Sequence, residues 1–135
     1  MKPENQPVLT FVKEAVCKAY PHVRLLIIFG SVAQGKARRE SDLDLAVDVG
    51  HCLTAEEKMV LIGDLAVITG RPIDLIDLKT VGEPLLGQIL KYGKRLVGKD
   101  ADYAALVTKH VFNQADFMPL RNRILAERRR AWIGK

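Results

Sequence analysis

Nowhere does this chain carry an apolar run approaching the roughly 20 residues needed to cross a bilayer. Its polar start, Met1-Lys2-Pro3-Glu4-Asn5-Gln6-Pro7, has no apolar stretch behind it of the kind that marks a secretory leader. The expected setting is therefore the cytoplasm, away from membranes. Cysteine is scarce as well. Cys17, in an expected helix, and Cys52, just after an expected strand, share no motif with each other or with His22, His51 and His110. Neither a disulfide framework nor a zinc site is expected. Internal repeats and low-complexity segments are also missing.

What is present is enough for one compact domain. The chain has 135 residues and 48% hydrophobic content, sufficient to bury a core without disulfide support. The net charge of +5 is unevenly placed, because Arg121, Arg123, Arg128, Arg129, Arg130 and Lys135 face only Glu127 in the last fifteen residues. Everything before Leu120 is close to neutral. That ending reads either as a local basic surface for an acidic partner or as a solvated helical face; it does not make a nucleic-acid field over the whole protein.

Val8, Phe11, Val12, Ala15 and Ala19 recur at helical spacing until Pro21, so a helix is expected from Pro7 to Tyr20. Val23–Phe29 is a nearly continuous apolar run, a buried strand stopped by Gly30. Ser31–Ser41 reads as one helical turn and a loop. Asp42–Asp48 then alternates with period two, placing acids on one strand face and aliphatics on the other. Thr54 and Glu57 form a capping-box signature ahead of a helix that Gly70 closes, and Pro72–Asp77 is a third strand. Further expectations are a helix from Gly82 to Tyr92, a short edge strand Arg95–Val97, a helix from Asp100 to Asp116, a break at Pro119 and a basic helix Leu120–Trp132.

This order predicts an α/β (α+β) fold: a small mixed sheet with helices on one face, where Leu43, Leu45, Ile73 and Leu75 point, and acids on the other. Residues 1–99 form the expected core, and residues 100–135 a helical, basic extension packing on that core or on a partner.

Two features carry chemistry. Asp42 and Asp44, two apart on a strand, leave the same face with Cα atoms roughly 6.5–7 Å apart. Two like charges so close repel unless a cation sits between them, and Mg²⁺ takes hard oxygen ligands while bridging carboxylates to phosphates. If the third strand neighbours the first acidic one, Asp74 joins them. Three carboxylates can hold two Mg²⁺ ions for an in-line displacement at phosphorus, with Asp74 placed to accept the nucleophile's proton. Gly30 and Ser31 serve the other end of a nucleotide: glycine permits close backbone approach, the following helical turn presents N–H groups to an anion, and the Ser31 hydroxyl adds a donor. Lys36, Arg38 and Arg39 lie in the intervening loop, placed to steady the triphosphate. Asp77 competes with Asp74 for the third position, but strand parity sets it with the core-facing residues.

Gly30-Ser31, a ten-residue gap and Asp42-Leu43-Asp44, with Ser41 before the first acid, resemble the signature of the minimal nucleotidyltransferases of the DNA polymerase β superfamily. Arg71–Leu78 resembles that family's third-carboxylate strand. The resemblance covers Val23 to Leu78. It implies a polymerase β-like nucleotidyltransferase fold, catalytic and metal-binding roles for Asp42, Asp44 and Asp74, nucleotide contacts from Gly30, Ser31 and Ser41, and ATP as substrate. Gln34 departs from the pattern, standing where many relatives carry arginine, which leaves Lys36, Arg38 or Arg39 as the candidate replacements.

Only residues 79–135 follow the third strand, too few for the added domain with which larger relatives bind their acceptor. The acceptor is expected on another molecule. Size and the arginine-rich ending resemble the antitoxin half of HEPN/MNT toxin–antitoxin pairs. That resemblance implies transfer of AMP from ATP to a tyrosine of a HEPN-domain ribonuclease toxin within a hetero-oligomer. Two other readings stay open: an antitoxin that acts by binding alone, and the small catalytic subunit of a two-component transferase acting on a small molecule.

Overall fold

The computed structural model describes residues 6–35 and 41–115. Its elements run α1 (Gln6–Ala19), β1 (Leu25–Phe29), α2 (Gly30–Ala33), β2 (Leu43–Asp48), α3 (Ala55–Thr69), β3 (Ile73–Asp77), α4 (Leu85–Tyr92) and β4 (Lys94–Gly98), then α5 at residues 100–115. Lys36, Arg38, Arg39, Pro119 and the expected basic helix Leu120–Trp132 lie outside the described residues.

Local signals set the boundaries. The Thr54 hydroxyl accepts from the Glu57 N–H at 3.0 Å while the Glu57 carboxylate accepts from the Thr54 N–H at 3.0 Å, a reciprocal pair that satisfies donors at the start of α3. Gly70 ends that helix in the left-handed region at φ 67°, where a side chain is disfavoured.

The strands form one sheet in the order β3-β2-β1-β4. β1 runs antiparallel to β2 and to β4, whereas β2 and β3 are parallel, so the sheet is mixed as expected. A parallel pair needs a crossover, and α3 supplies it.

The helices depart from expectation. A single covered face was the reading from pattern, and the structure covers both. α1 and α3 pack Leu9, Val12, Val16, Leu61 and Leu65 against Leu26, Ile28, Leu43, Leu45, Val47 and Leu75. On the opposite face α4 and α5 bring Leu86, Ile89 and Leu106 against Leu25, Ile27 and Ala46. The reason lies in β1, an inner strand that is apolar on both faces and needs cover on both. The acids share the second face but stand at one end of it, where β1 gives way to α2. No helix among the described residues is long and apolar enough to cross a membrane.

Asp77 faces the first core, as strand parity predicts, and is buried. Its carboxylate accepts from the backbone N–H of Leu53 at 2.8 Å and of Lys79 at 2.9 Å, tying the end of β3 to the loop before α3. Asp77→Ala would leave two N–H groups without their acceptor, at a cost of about 1–3 kcal/mol. The variant is expected to melt at lower temperature in calorimetry while keeping nucleotide binding; loss of nucleotide binding with unchanged melting would instead make Asp77 a site residue.

Candidate active site

The site forms where β1 ends and the acidic strands begin. In the parallel β2–β3 register Asp44 stands directly beside Asp74. Residues paired this way point to the same face, so the two carboxylates share one patch of surface. Asp42 precedes β2 by one residue and is exposed. Across the other edge of β2, Phe29 is the Cα partner of Asp44, placing a half-buried aromatic ring position on the acidic side.

The electrostatics follow from this crowding. The Asp44 carboxyl is pushed up from its ordinary 3.8 to about 6. Desolvation is the largest cause; the charge of Asp74, a hydrogen bond shared with Asp74, and the charge of Asp42 follow in that order. Each favours the neutral form. Asp42 exerts the weakest push, and among the described residues no three His, Cys, Asp or Glu side chains already stand together as a metal cluster. The donor set nonetheless fits a hard divalent cation: the oxygens are all carboxylate, and their mutual repulsion is relieved by positive charge. Asp42, Asp44 and Asp74 are the residues that would hold Mg²⁺.

Gly30 has a sharper role than loop flexibility. Its φ is +72°, a left-handed conformation, and a Cβ built there would collide with the Asp44 carboxylate oxygen Oδ2. The missing side chain is the space in which the Asp44 carboxylate lies. Sequence reading identified the glycine but assigned that space to a ligand; the collision arises from the β1–β2 register, which spacing alone does not encode. Ser31 follows in the first turn of α2 and is half-buried. Phe29, at the N-cap, supplies no side-chain hydrogen bond to that turn. Ser41, also half-buried, directly precedes Asp42.

The structure therefore gathers Gly30, Ser31, Asp44 and Asp74 at one end of the sheet with Asp42 at the rim. Asp77 lies elsewhere, on the opposite sheet face.

A Gly-Ser turn beside the strand that carries Asp44, with Asp42 just ahead of that strand and Asp74 on its parallel neighbour, is the arrangement that the sequence signature anticipates. Residues 13–102 match the family described as polymerase beta, nucleotidyltransferase, and the chain belongs to that family. Within it, protein adenylyltransferase MntA of Shewanella oneidensis (strain MR-1) is 32% identical over 91 residues, a match spanning 67% of this chain and 66% of that relative. This chain is also similar to a chain of a toxin–antitoxin crystal structure with AMP-PNP, at TM-score 0.78 and 26% identity, over 88% of this chain and 96% of the other. It shares its fold with a chain of the solved structure of tri-AMPylated Shewanella oneidensis HEPN toxin in complex with MNT antitoxin. There the TM-score is 0.75 at 23% identity, over 91% of this chain and 97% of that one.

Two predictions test the site. Between its ordinary value of 3.8 and about 6, Asp44 holds a proton in the folded chain that it has lost in the unfolded one. Stability therefore falls as pH rises through that window, and the penalty is complete above it. In EDTA, Asp44→Asn is expected to raise the melting temperature at pH 8 and to change it little at pH 4. Equal shifts at both would rule out the charge crowding. Gly30→Ala is expected to cost about 1–2 kcal/mol through the left-handed backbone, and to abolish the thermal stabilisation expected of the parent on adding Mg²⁺-ATP; retained stabilisation would mean that the Asp44 carboxylate can sit elsewhere.

Proposed function

We propose that this protein is an antitoxin nucleotidyltransferase that transfers AMP from Mg²⁺-ATP to a tyrosine of a cognate HEPN ribonuclease toxin and so neutralises it. The observation that carries this reading is the direct pairing of Asp44 with Asp74 beside the Gly30-Ser31 turn. Its support from relatives is the 32% identity to a protein adenylyltransferase and the likeness to a toxin–antitoxin chain solved with AMP-PNP.

In this reading the first turn of α2 and the Ser31 hydroxyl receive the triphosphate, and Ser41 and the loop cations Lys36, Arg38 and Arg39 steady its outer phosphates. Asp42, Asp44 and Asp74 would hold Mg²⁺, which when bound would supply positive charge against the phosphate oxygens and favour ionisation of the attacking oxygen. The tyrosine oxygen attacks the α-phosphorus in line, the bond from that phosphorus to the α–β bridging oxygen breaks, and pyrophosphate departs with the electron pair. The tyrosine proton passes to the Asp74 carboxylate, which is exposed and so accessible to an incoming acceptor. Residues 100–135 act as the basic helical extension that packs on the core or on the toxin, and the setting is cytoplasmic.

Purified protein incubated with Mg²⁺, its toxin and ATP labelled at the α-phosphate is expected to label the toxin, whereas γ-labelled ATP is not. Asp42→Asn or Asp44→Asn should abolish labelling, and Tyr→Phe replacement at the acceptor should remove it from the toxin. Undiminished labelling by both aspartate variants would refute the metal-site reading. Neutralisation of the toxin without any labelling would favour an antitoxin that acts by binding alone.

A further inference from the structure

α3 carries large apolar side chains on both its sides. Leu61 and Leu65 are buried in the core, yet Met59, Val60, Val67 and Ile68 stand outward, exposed by 73%, 58%, 85% and 45%. Gly63 shares that outer face, three or four positions from Met59, Val60 and Val67. Nothing stands within 4 Å of where its Cβ would be, so another backbone can come close there. A surface helix normally keeps one apolar stripe for its own core, and a helix that is apolar all round is normally covered all round. The capping box and Gly70 define α3 at both ends, and its outer face runs about 18 Å from Glu56 to Ile68.

The charge on that face selects what can cover it. Between its first half and the end of α1 lies a groove of about 340 Å³, in which Ala19, Tyr20 and Val60 meet Glu56, Glu57 and Asp64. Glu57 is engaged by the Thr54 N–H and by His51. Glu56 and Asp64 form no ion pair among the described residues, and no lysine or arginine among them lines the groove. A second copy of the chain would meet this face with the same acids. A helix carrying lysine or arginine beside apolar residues matches both of its parts, with the aliphatic stem of the cation against Val60 and Tyr20 and its charge at the carboxylates.

The other end of the face leads to the active site. α3 ends at Thr69 and β3 opens at Ile73, so only the connecting turn separates Val67 and Ile68 from the exposed Asp74. β3 is an edge of the sheet, and among the described residues no strand lies beyond it. We propose that the outer face of α3 is the docking surface of the protein that brings the acceptor, and that this partner applies an apolar helix face bordered by lysine or arginine. The proposal rests on the reading that the acceptor belongs to a separate protein. Docking there sets the partner beside the open β3 edge, the side from which an acceptor oxygen reaches Asp74.

The test measures binding of the cognate HEPN toxin to the full-length chain by calorimetry without nucleotide, so that docking is read apart from transfer. Val67→Lys is expected to weaken binding about tenfold or more, because it sets a cation in the apolar seat of a basic partner. Gln88→Lys, exposed on α4 over the other sheet face, is expected to leave binding unchanged. Glu56→Gln with Asp64→Asn is expected to weaken binding at low salt and to flatten its salt dependence. Thermal stabilisation by Mg²⁺-ATP is expected to be the same in all these variants as in the parent. Unchanged affinity of Val67→Lys overturns the docking, and an accompanying fall in melting temperature would mean that the face is covered from within the chain. Equal weakening by Gln88→Lys, or no complex with the parent, overturns it too. Tighter binding by the neutralised variant would assign an acidic partner, and a parent dimer that Val67→Lys dissociates would assign a second copy; either contradicts the proposal. Binding lost in Val67→Lys, from a parent that binds the toxin but never labels it, keeps the docking surface and removes the transfer reading instead.

Discussion

The rest of this structure depends on one unfavourable contact, the packing of like-charged carboxylates on adjacent strands. Asp44 and Asp74 are held side by side by a parallel β2–β3 register that the crossover helix α3 enforces. Asp42 adds charge from the rim, and burial beside Phe29 removes water that would otherwise screen the group. Such an arrangement costs stability in the isolated fold. It is kept because the two cores, one on each sheet face, hold the backbone so firmly that the acids cannot move apart. The same repulsion would be relieved by positive charge placed among the carboxylates, as a hard divalent cation would supply.

Much of this was legible in the sequence because the informative residues obey short-range rules. The Thr54–Glu57 capping box, Gly70 as terminator and the alternation of Asp42 to Asp48 each depend on neighbours a few positions away, and the structure realises them nearly residue for residue. The pairing of Asp74 with Asp44 needed one further step, since it required β3 to lie next to β2. The parallel crossover through α3 meets that requirement. Strand parity also separated Asp74 from Asp77, placing one among the acids and the other among the backbone hydrogen bonds of the loop before α3.

What the sequence hid was whatever depends on contacts across the sheet. An amphipathic helix announces that it will be buried without saying on which face, so α4 and α5 could not be assigned to the acidic side from their own residues. β1 is the clue in retrospect: Leu25 and Ile27 alternate with Leu26 and Ile28 with no polar break, and a strand apolar on both sides calls for two layers of cover. The shift of Asp44 is similarly non-local. Its neighbours in sequence account for only the smallest contribution, the charge of Asp42, and the larger ones come from burial and from Asp74, thirty positions away.

Gly30 and Asp44 claim the same volume, one by lacking a side chain and the other by filling the gap. The two positions are therefore coupled through that volume. With aspartate at 44, a side chain at 30 needs the carboxylate to move aside, whereas a smaller residue at 44 relieves that collision and leaves the left-handed backbone as the main constraint at 30. A glycine here is thus less a hinge than the mould in which the carboxylate is set, and the loop before α2 and the strand after it form one steric unit.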